Sequence, residues 1–241
     1  MKNKVQDQPD VEKIAHHART IVRSCTSGAL GTVDRTDGAP YVSLCAHGVD
    51  FSGRPIFLLS DLADHTQNLA ADDRLSFLCE QASHLGNPQA GPRVSLIGRL
   101  KKTKETQDCT YFLQRHPSAK KYAEFGDFNF YKMDVEKAHY VGGFGRAIWL
   151  TSQDYAPDSA ASLNFSNSQE DLIQQLDADF PDLARFCAIK LLKQRGKNWQ
   201  LLRIDMDGID LKGPARIVRY PFEKQLKTSQ EMADFFRKLS G

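Results

Sequence analysis

Hydrophobic positions change period several times along the chain, and each change predicts a different element. From Asp10 to Ser24, the residues Val11, Ile14, Ala15, Ala18, Ile21 and Val22 keep the i, i+3, i+4, i+7 spacing of an amphipathic helix. Short extended segments follow. Gly28 to Val33 is one, and Asp37-Gly38 marks the turn after it. Tyr41 to Val49 alternates strictly, with Val42, Leu44, Ala46 and Gly48 as a small apolar face expected inward and Tyr41, Ser43, Cys45 and His47 as the polar face. Ile56 to Leu59 is a continuous apolar run. Ser60-Asp61 predicts the cap of a helix over about Leu62 to Ala71, with Leu62, Thr66 and Leu69 on one side. Leu75 to Cys79 reads as a strand and His84 to Pro92 as a loop. Val94 to Leu100 alternates again, with Arg93, Ser95, Arg99 and Lys101 outward. A helix over about Thr106 to His116 stops at Pro117. Phe128 to Val135 is rich in aromatic and β-branched residues. Tyr140-Val141 then breaks at Gly142-Gly143-Phe144-Gly145 before Arg146 to Leu150.

Residues 25–152 thus hold six or seven short strands and only two inserted helices, too few to cover the crossovers of a parallel sheet. The pattern predicts an antiparallel β-barrel. The glycines at 142, 143 and 145 imply positive φ or a close backbone approach, by a neighbouring strand or by a ligand. They do not form a dinucleotide fingerprint, because the third glycine would fall at Ile148 and no helix follows. Thr151 to Asn167 is small, polar and Pro-containing, and predicts a boundary between a barrel domain (1–152) and a second domain (166–241). In the latter, Ser168 to Leu176 and Pro181 to Arg195 read as helices, with Gly196 as a stop. Trp199 to Met206 and Ile209 to Leu211 flank the hairpin signal Asp207-Gly208, and Arg216 to Tyr220 is a third strand. Thr228-Ser229-Gln230-Glu231 opens a last helix, completing a small α+β unit.

Composition narrows the function classes. The net charge is +2, from 32 basic and 30 acidic residues, so no basic excess points to nucleic acid. No apolar run approaches the roughly 20 residues that span a bilayer, and the N-terminus lacks the apolar core of a secretory signal. Five scattered cysteines without CxxC spacing read as reduced thiols, which points to the cytoplasm.

The chemistry-bearing residues are sparse. The histidines show no zinc spacing, and neither a GxSxG elbow nor a P-loop is present. His47, on the polar face of its strand, reads as an exposed or a satisfied imidazole. The helix opening at His65-Thr66 follows a strand, and its first turn offers unpaired N–H groups to a phosphate or carboxylate, with Ser60, His65 and Thr66 as added donors. A plain capped surface helix is the alternative. Arg93 and Arg99 either present guanidinium forks to an anion or are solvated outer-face charges.

Several stretches together resemble the pyridoxamine 5′-phosphate oxidase-like, FMN-binding split-barrel superfamily, and within it the HugZ-type haem-utilisation branch. They are GALGTVDRTDGAPYVSL, LADHTQNLAADDRLSFL, RVSLIGRL, FGDFNFYKM and HYVGGFGRAIWL, with MDGIDLKGPARIVRYPF in the C-terminal part. The resemblance implies a six-stranded split barrel, a homodimer and a flat cofactor, FMN or haem, in a cleft between the subunits. It implies cofactor-anion contacts from His65, Thr66 and Asn68, and cleft roles for Asp127 and Arg146 in orienting an iron-bound water or a propionate. Arg99 is a weaker anion contact. Ser43 and Asp64-His65 stand where the oxidases carry phosphate-binding cations, and the chain has no histidine after His139 for the iron-ligand role seen near the C-terminus of haem-degrading members. Two functions follow from the resemblance: an FMN- or haem-dependent oxidoreductase, or a non-catalytic haem carrier or regulatory protein.

Overall fold

A computed structural model describes residues 10–83, 85–143 and 147–240. The first helix, α1 (Val11–Ser24), is capped by the Asp10 carboxylate, which accepts from the Lys13 amide at 3.0 Å. Then come β1 (Ser27–Val33), β2 (Pro40–Ala46), β3 (Gly48–Val49), β4 (Pro55–Ser60), α2 (Asp64–Ala71), β5 (Arg74–Glu80), β6 (Arg93–Lys102), α3 (Thr106–Arg115), β7 (Phe128–Val141) and β8 (Ala147–Thr151). All eight strands belong to one antiparallel sheet in the order β2-β1-β5-β6-β7-β4-β3, with β8 also on β7.

The two ends of that order are neighbours in the chain. Only His47 separates β2 from β3, so the ladder curls round and the same run of backbone supplies both edges. This is an antiparallel split barrel, as the strand pattern predicts, with eight strands in place of six. One extra strand arises because Tyr41 to Val49 breaks at His47. In addition, β7 runs unbroken through Val135 to Val141, holding β4 at one end and β8 at the other.

The barrel core gathers Leu30, Phe57, Phe77, Val94, Leu96, Met133 and Leu150, closed at one side by Ala18, Ile21 and Val22 of α1. The continuous apolar run in β4 has a physical reason. Phe57 and Leu59 face the barrel, while Ile56 and Leu58 pack outside it against Phe112 of α3 and Ala119. At the β7–β8 connection Gly143 has φ +101°, and a Cβ there would meet the Ala90 carbonyl oxygen at 2.6 Å, so both reasons for glycine hold at that position.

Three expectations are corrected. The faces of β2 are reversed: Val42 and Leu44 are 65% and 79% exposed, whereas Cys45 and His47 are buried. The helix α2 begins at Asp64, two residues later than its apolar stripe suggests, and Leu62 is exposed. The segment read as a linker is helical: α4 (Ser152–Tyr155) opens on a reciprocal Thr151–Asp154 capping box, and α5 (Ser159–Asn167) is capped by Asp158. Tyr155 and Phe165 are buried there.

The remainder comprises α6 (Gln169–Asp179), α7 (Leu183–Phe186) running into a π-turn at Cys187–Leu191, β9 (Gln200–Asp205), β10 (Gly208–Lys212), β11 (Ile217–Pro221) and α8 (Ser229–Ser240). The three strands form a separate antiparallel sheet in the order β11-β10-β9 around the predicted Asp207-Gly208 hairpin. Its core includes Leu172, Leu176, Ile204, Ile209, Met232 and Phe236, and also takes in Phe51 and Tyr111 from the barrel side.

Candidate functional site

The start of α2 gathers most of the predicted site residues. Ser60 ends β4, and its hydroxyl donates to Asp127 Oδ2 at 2.6 Å while accepting from the Leu62 amide at 3.1 Å. The neighbouring Asp61 amide donates to the Asp127 carbonyl at 2.7 Å. Asp61 in turn accepts from Asn129 Nδ2 (2.9 Å) and Tyr131 Oη (3.2 Å). Burial, with the Asp61 carboxylate beside it, pushes the Tyr131 phenol up to about 12. Ser60 and Asp127 therefore form one locked pair where β4 meets β7.

A second group sits across the helix start. His65 Nδ1 lies 3.2 Å from Ser43 Oγ on β2, and Ser43 Oγ lies 3.8 Å from Cys45 Sγ. Ser43 reaches His65 only because the polar side of β2 faces inward. Burial lowers the His65 pKa against the opposing pull of Asp64, so its imidazole is neutral at physiological pH. Among the described residues Nε2 makes no hydrogen bond. Thr66 is buried, and its Oγ1 has no partner among them either.

Asn68 is fully buried and ties α2 to the β1–β2 hairpin. Its Oδ1 accepts from the Arg35 amide (3.1 Å) and from Arg35 Nη1 (3.2 Å), and its Nδ2 donates to Thr32 Oγ1 (3.2 Å). Arg35 also reaches the Asp64 carboxylate at 3.3 Å. Sequence reasoning missed Arg35; the signal is its place in the turn between two strands, one of which carries Ser43. Because Ala63 provides no side-chain cap and Asp64 occupies the first turn, the positive helix end already has a carboxylate beside it.

Arg99 stands elsewhere. It pairs across the sheet with Arg74 and Asp134, and its guanidinium is engaged by Asp73 and by Glu136 at 3.0 Å. Arg146 lies outside the described residues. A cleft of about 990 Å³ lies between α1, β8 and β11, with His16, His17 and Thr20 on its wall and neither Ser43 nor His65 in its lining. No group of three or more potential metal-ligating side chains occurs among the described residues, and none of their helices is long and apolar enough to cross a membrane.

Comparison with known proteins agrees with this architecture. Residues 9–157 match the family model described as CREG, beta-barrel. The chain is 29% identical over 134 residues to the non-canonical haem oxygenase HOZ, chloroplastic, of Arabidopsis thaliana, covering 54% of this chain and 40% of that protein, so it spans well under half the length of this relative. A haem-binding protein from Mycobacterium smegmatis superposes with a TM-score of 0.58 at 25% identity, covering 97% of each chain. The Agrobacterium tumefaciens protein Atu2129, of unknown function, superposes with a TM-score of 0.74 at 23% identity over 93% of this chain and 94% of its own, which bears on fold alone. The resemblance in sequence to the split-barrel superfamily therefore holds: this chain belongs to the CREG β-barrel family of FMN-binding-type split barrels.

Proposed function

We propose that two copies of this chain join along β2 and hold haem at the seam, where the protein acts as a haem-dependent oxidoreductase. The observation that carries this reading is His65 held by Ser43 on one face of β2, with two large exposed apolar side chains on the other face of the same strand. Val42 and Leu44 stand on the outer face of the strand whose inner face holds Ser43 against His65. Apolar side chains so exposed on an edge strand suit a second copy and a flat apolar ligand. In the tautomer whose Nδ1 donates to Ser43 Oγ, His65 presents the Nε2 lone pair, the arrangement of an imidazole that ligates iron with its other nitrogen oriented by a hydrogen bond. The unpartnered Thr66 hydroxyl is a further donor beside it.

The same residues suit a flavin phosphate poorly. Arg35 is the guanidinium at the helix start, and Asp64 already neutralises it. When bound, haem supplies the redox chemistry. The chain's own part is to orient the imidazole through Ser43, to close the seam between copies with Val42 and Leu44, and to keep the Asp127 carboxylate fixed through Ser60. The haem-named relatives support this reading. The five unpaired cysteines fit a reducing compartment such as the cytoplasm.

Titration of the purified protein with haemin and with FMN, followed by absorbance, tests the reading. Haemin is expected to give a saturable Soret band and FMN no comparable spectral change. His65→Ala should shift or abolish that band, and Ser43→Ala should weaken affinity roughly 10–100-fold. Absence of haemin uptake, or an unchanged Soret band in His65→Ala, overturns it. Addition of ascorbate or NADPH to the haem complex separates the two functions: loss of the Soret band with product formation marks the oxidoreductase, and a persistent band marks a carrier.

A further inference from the structure

The interface between the barrel and the C-terminal sheet buries an unusual amount of positive charge. Arg23, Arg115, Arg203 and Arg219 line a small internal void together with the carboxylates of only Asp205 and Asp210. All four arginine side chains are at least nine-tenths buried. The void measures about 20 Å³, room for one water-sized species and too little for a phosphate or a carboxylate.

Three of the guanidiniums have carboxylate neighbours. Arg219 donates to Asp205 Oδ1 (2.6 Å) and Asp210 Oδ1 (3.2 Å). Arg23 donates to Asp207 Oδ2 (3.1 Å), and Arg115 Nη1 lies 3.3 Å from Asp210 Oδ1 without hydrogen-bond geometry. Arg203 is different. Its Nη1 donates to the Val49 carbonyl at 2.5 Å, and its Cζ lies 4.1 Å from the Tyr111 ring centre and 4.4 Å from that of Phe51, against an edge-to-face pair of rings. Its Nε and Nη2, the two donors of one fork edge, have no partner among the described residues.

The tally of unpaired atoms around the void decides what belongs in it. Arg203 Nε, Arg203 Nη2, Arg115 Nη1 and Arg219 Nε are donors; His47 Nδ1 and Asp205 Oδ2 are the acceptors, the latter 3.5 Å from Arg23 Nη1. A single water donating to those two acceptors accepts only about two hydrogen bonds, and so leaves about two of the four donors unmet. A monoatomic anion accepts from every side, and the four guanidiniums outnumber Asp205, Asp210 and the Asp207 that Arg23 shares with Arg19, which leaves positive charge to hold it.

The geometry points to a buried halide site, filled by chloride, that clamps the C-terminal sheet onto α1 and the barrel. Burial without a bonded carboxylate also lowers the Arg203 pKa, a cost that an adjacent anion relieves. The site is independent of the haem reading, since its residues include none from the start of α2.

The test uses the full chain. Thermal unfolding is followed in sodium chloride, sodium bromide and sodium gluconate at matched ionic strength, gluconate being too large for the void. Chloride and bromide are expected to raise Tm by roughly 3–6 °C per tenfold increase in concentration above half-saturation, and gluconate to leave it unchanged. Arg203→Met, which keeps the apolar packing against the two rings, should lose that dependence. Should Arg203→Met fail to fold, crystals of the unsubstituted protein grown in bromide decide the matter: an anomalous peak in contact with Arg203 supports the site. A void holding only water, a Tm that ignores the anion, or a chloride response that survives in Arg203→Met overturns it.

Discussion

A fully buried histidine whose Nε2 donates to a carbonyl sits in a core most cheaply as the neutral imidazole. His47 is such a residue: it is 0% exposed, donates to the Val22 carbonyl at 2.9 Å and packs edge-on against Phe77. Burial pushes its pKa down to about 3. Burial also lowers His17, His65 and His116. The unfolded chain takes up these protons as pH falls below 6.5, while folded His47 refuses its proton until about pH 3. Stability is therefore full above pH 6.5 and falls through that window, by about 1.4 kcal/mol per pH unit from His47 alone. Urea unfolding at pH 7, 6 and 5 should show this slope, and His47→Gln, which keeps an N–H donor, should flatten it by about that amount. The sequence left His47 open between an exposed and a satisfied imidazole. Alternation reveals that residues share a face, and says nothing of which face is the interior.

The same ambiguity explains β2 as an element. Its period was legible and its sense was not, because an apolar set that meets another chain looks identical to one that meets the core. On the reading proposed above, Val42 and Leu44 are covered by a second copy. Leu44→Lys should then turn a dimer into a monomer in sedimentation velocity while leaving Tm within a few degrees, since the side chain is 79% exposed in the single chain. The helices α4 and α5 were hidden by composition, their small polar residues resembling a linker. Their caps were visible, however, in the Thr151-x-x-Asp154 spacing and in Asp158 ahead of the run. The late start of α2 was not visible, because Ser60 caps the turn before the helix and bonds to Asp127, a partner 67 residues away.

At the scale of the molecule, the junction between the barrel and the C-terminal sheet is ionic and internal. Asp207, in the β9–β10 turn, accepts from His16 Nδ1 (3.0 Å), Arg19 Nε (3.0 Å) and Arg23 Nε (3.1 Å), all from α1. Burial opposes its charge, but these partners prevail and hold its pKa well below the usual carboxylate range. Its contribution is thus complete above the ordinary carboxylate pKa and declines as pH falls below it. Asp207→Asn should cost about 3–5 kcal/mol by leaving two guanidiniums undercompensated. The predicted division at 1–152 and 166–241 is accordingly offered as one of architecture and not of folding: calorimetry should show one transition for the full chain and none for 166–241 alone. Pairing between distant charged residues carries no periodic signal, so the sequence showed two sheets and not what binds them.

The claim on which the account turns is that haem sits where two copies meet at β2 and α2. Sedimentation velocity of the haemin-loaded protein, recorded at the Soret wavelength and at 280 nm, tests it most directly. The account predicts one boundary at the mass of a dimer at both wavelengths, with the Soret signal lost from the protein in the monomeric Leu44→Lys variant. Haem that travels with a monomer, or a Leu44→Lys monomer that keeps it, would contradict the account.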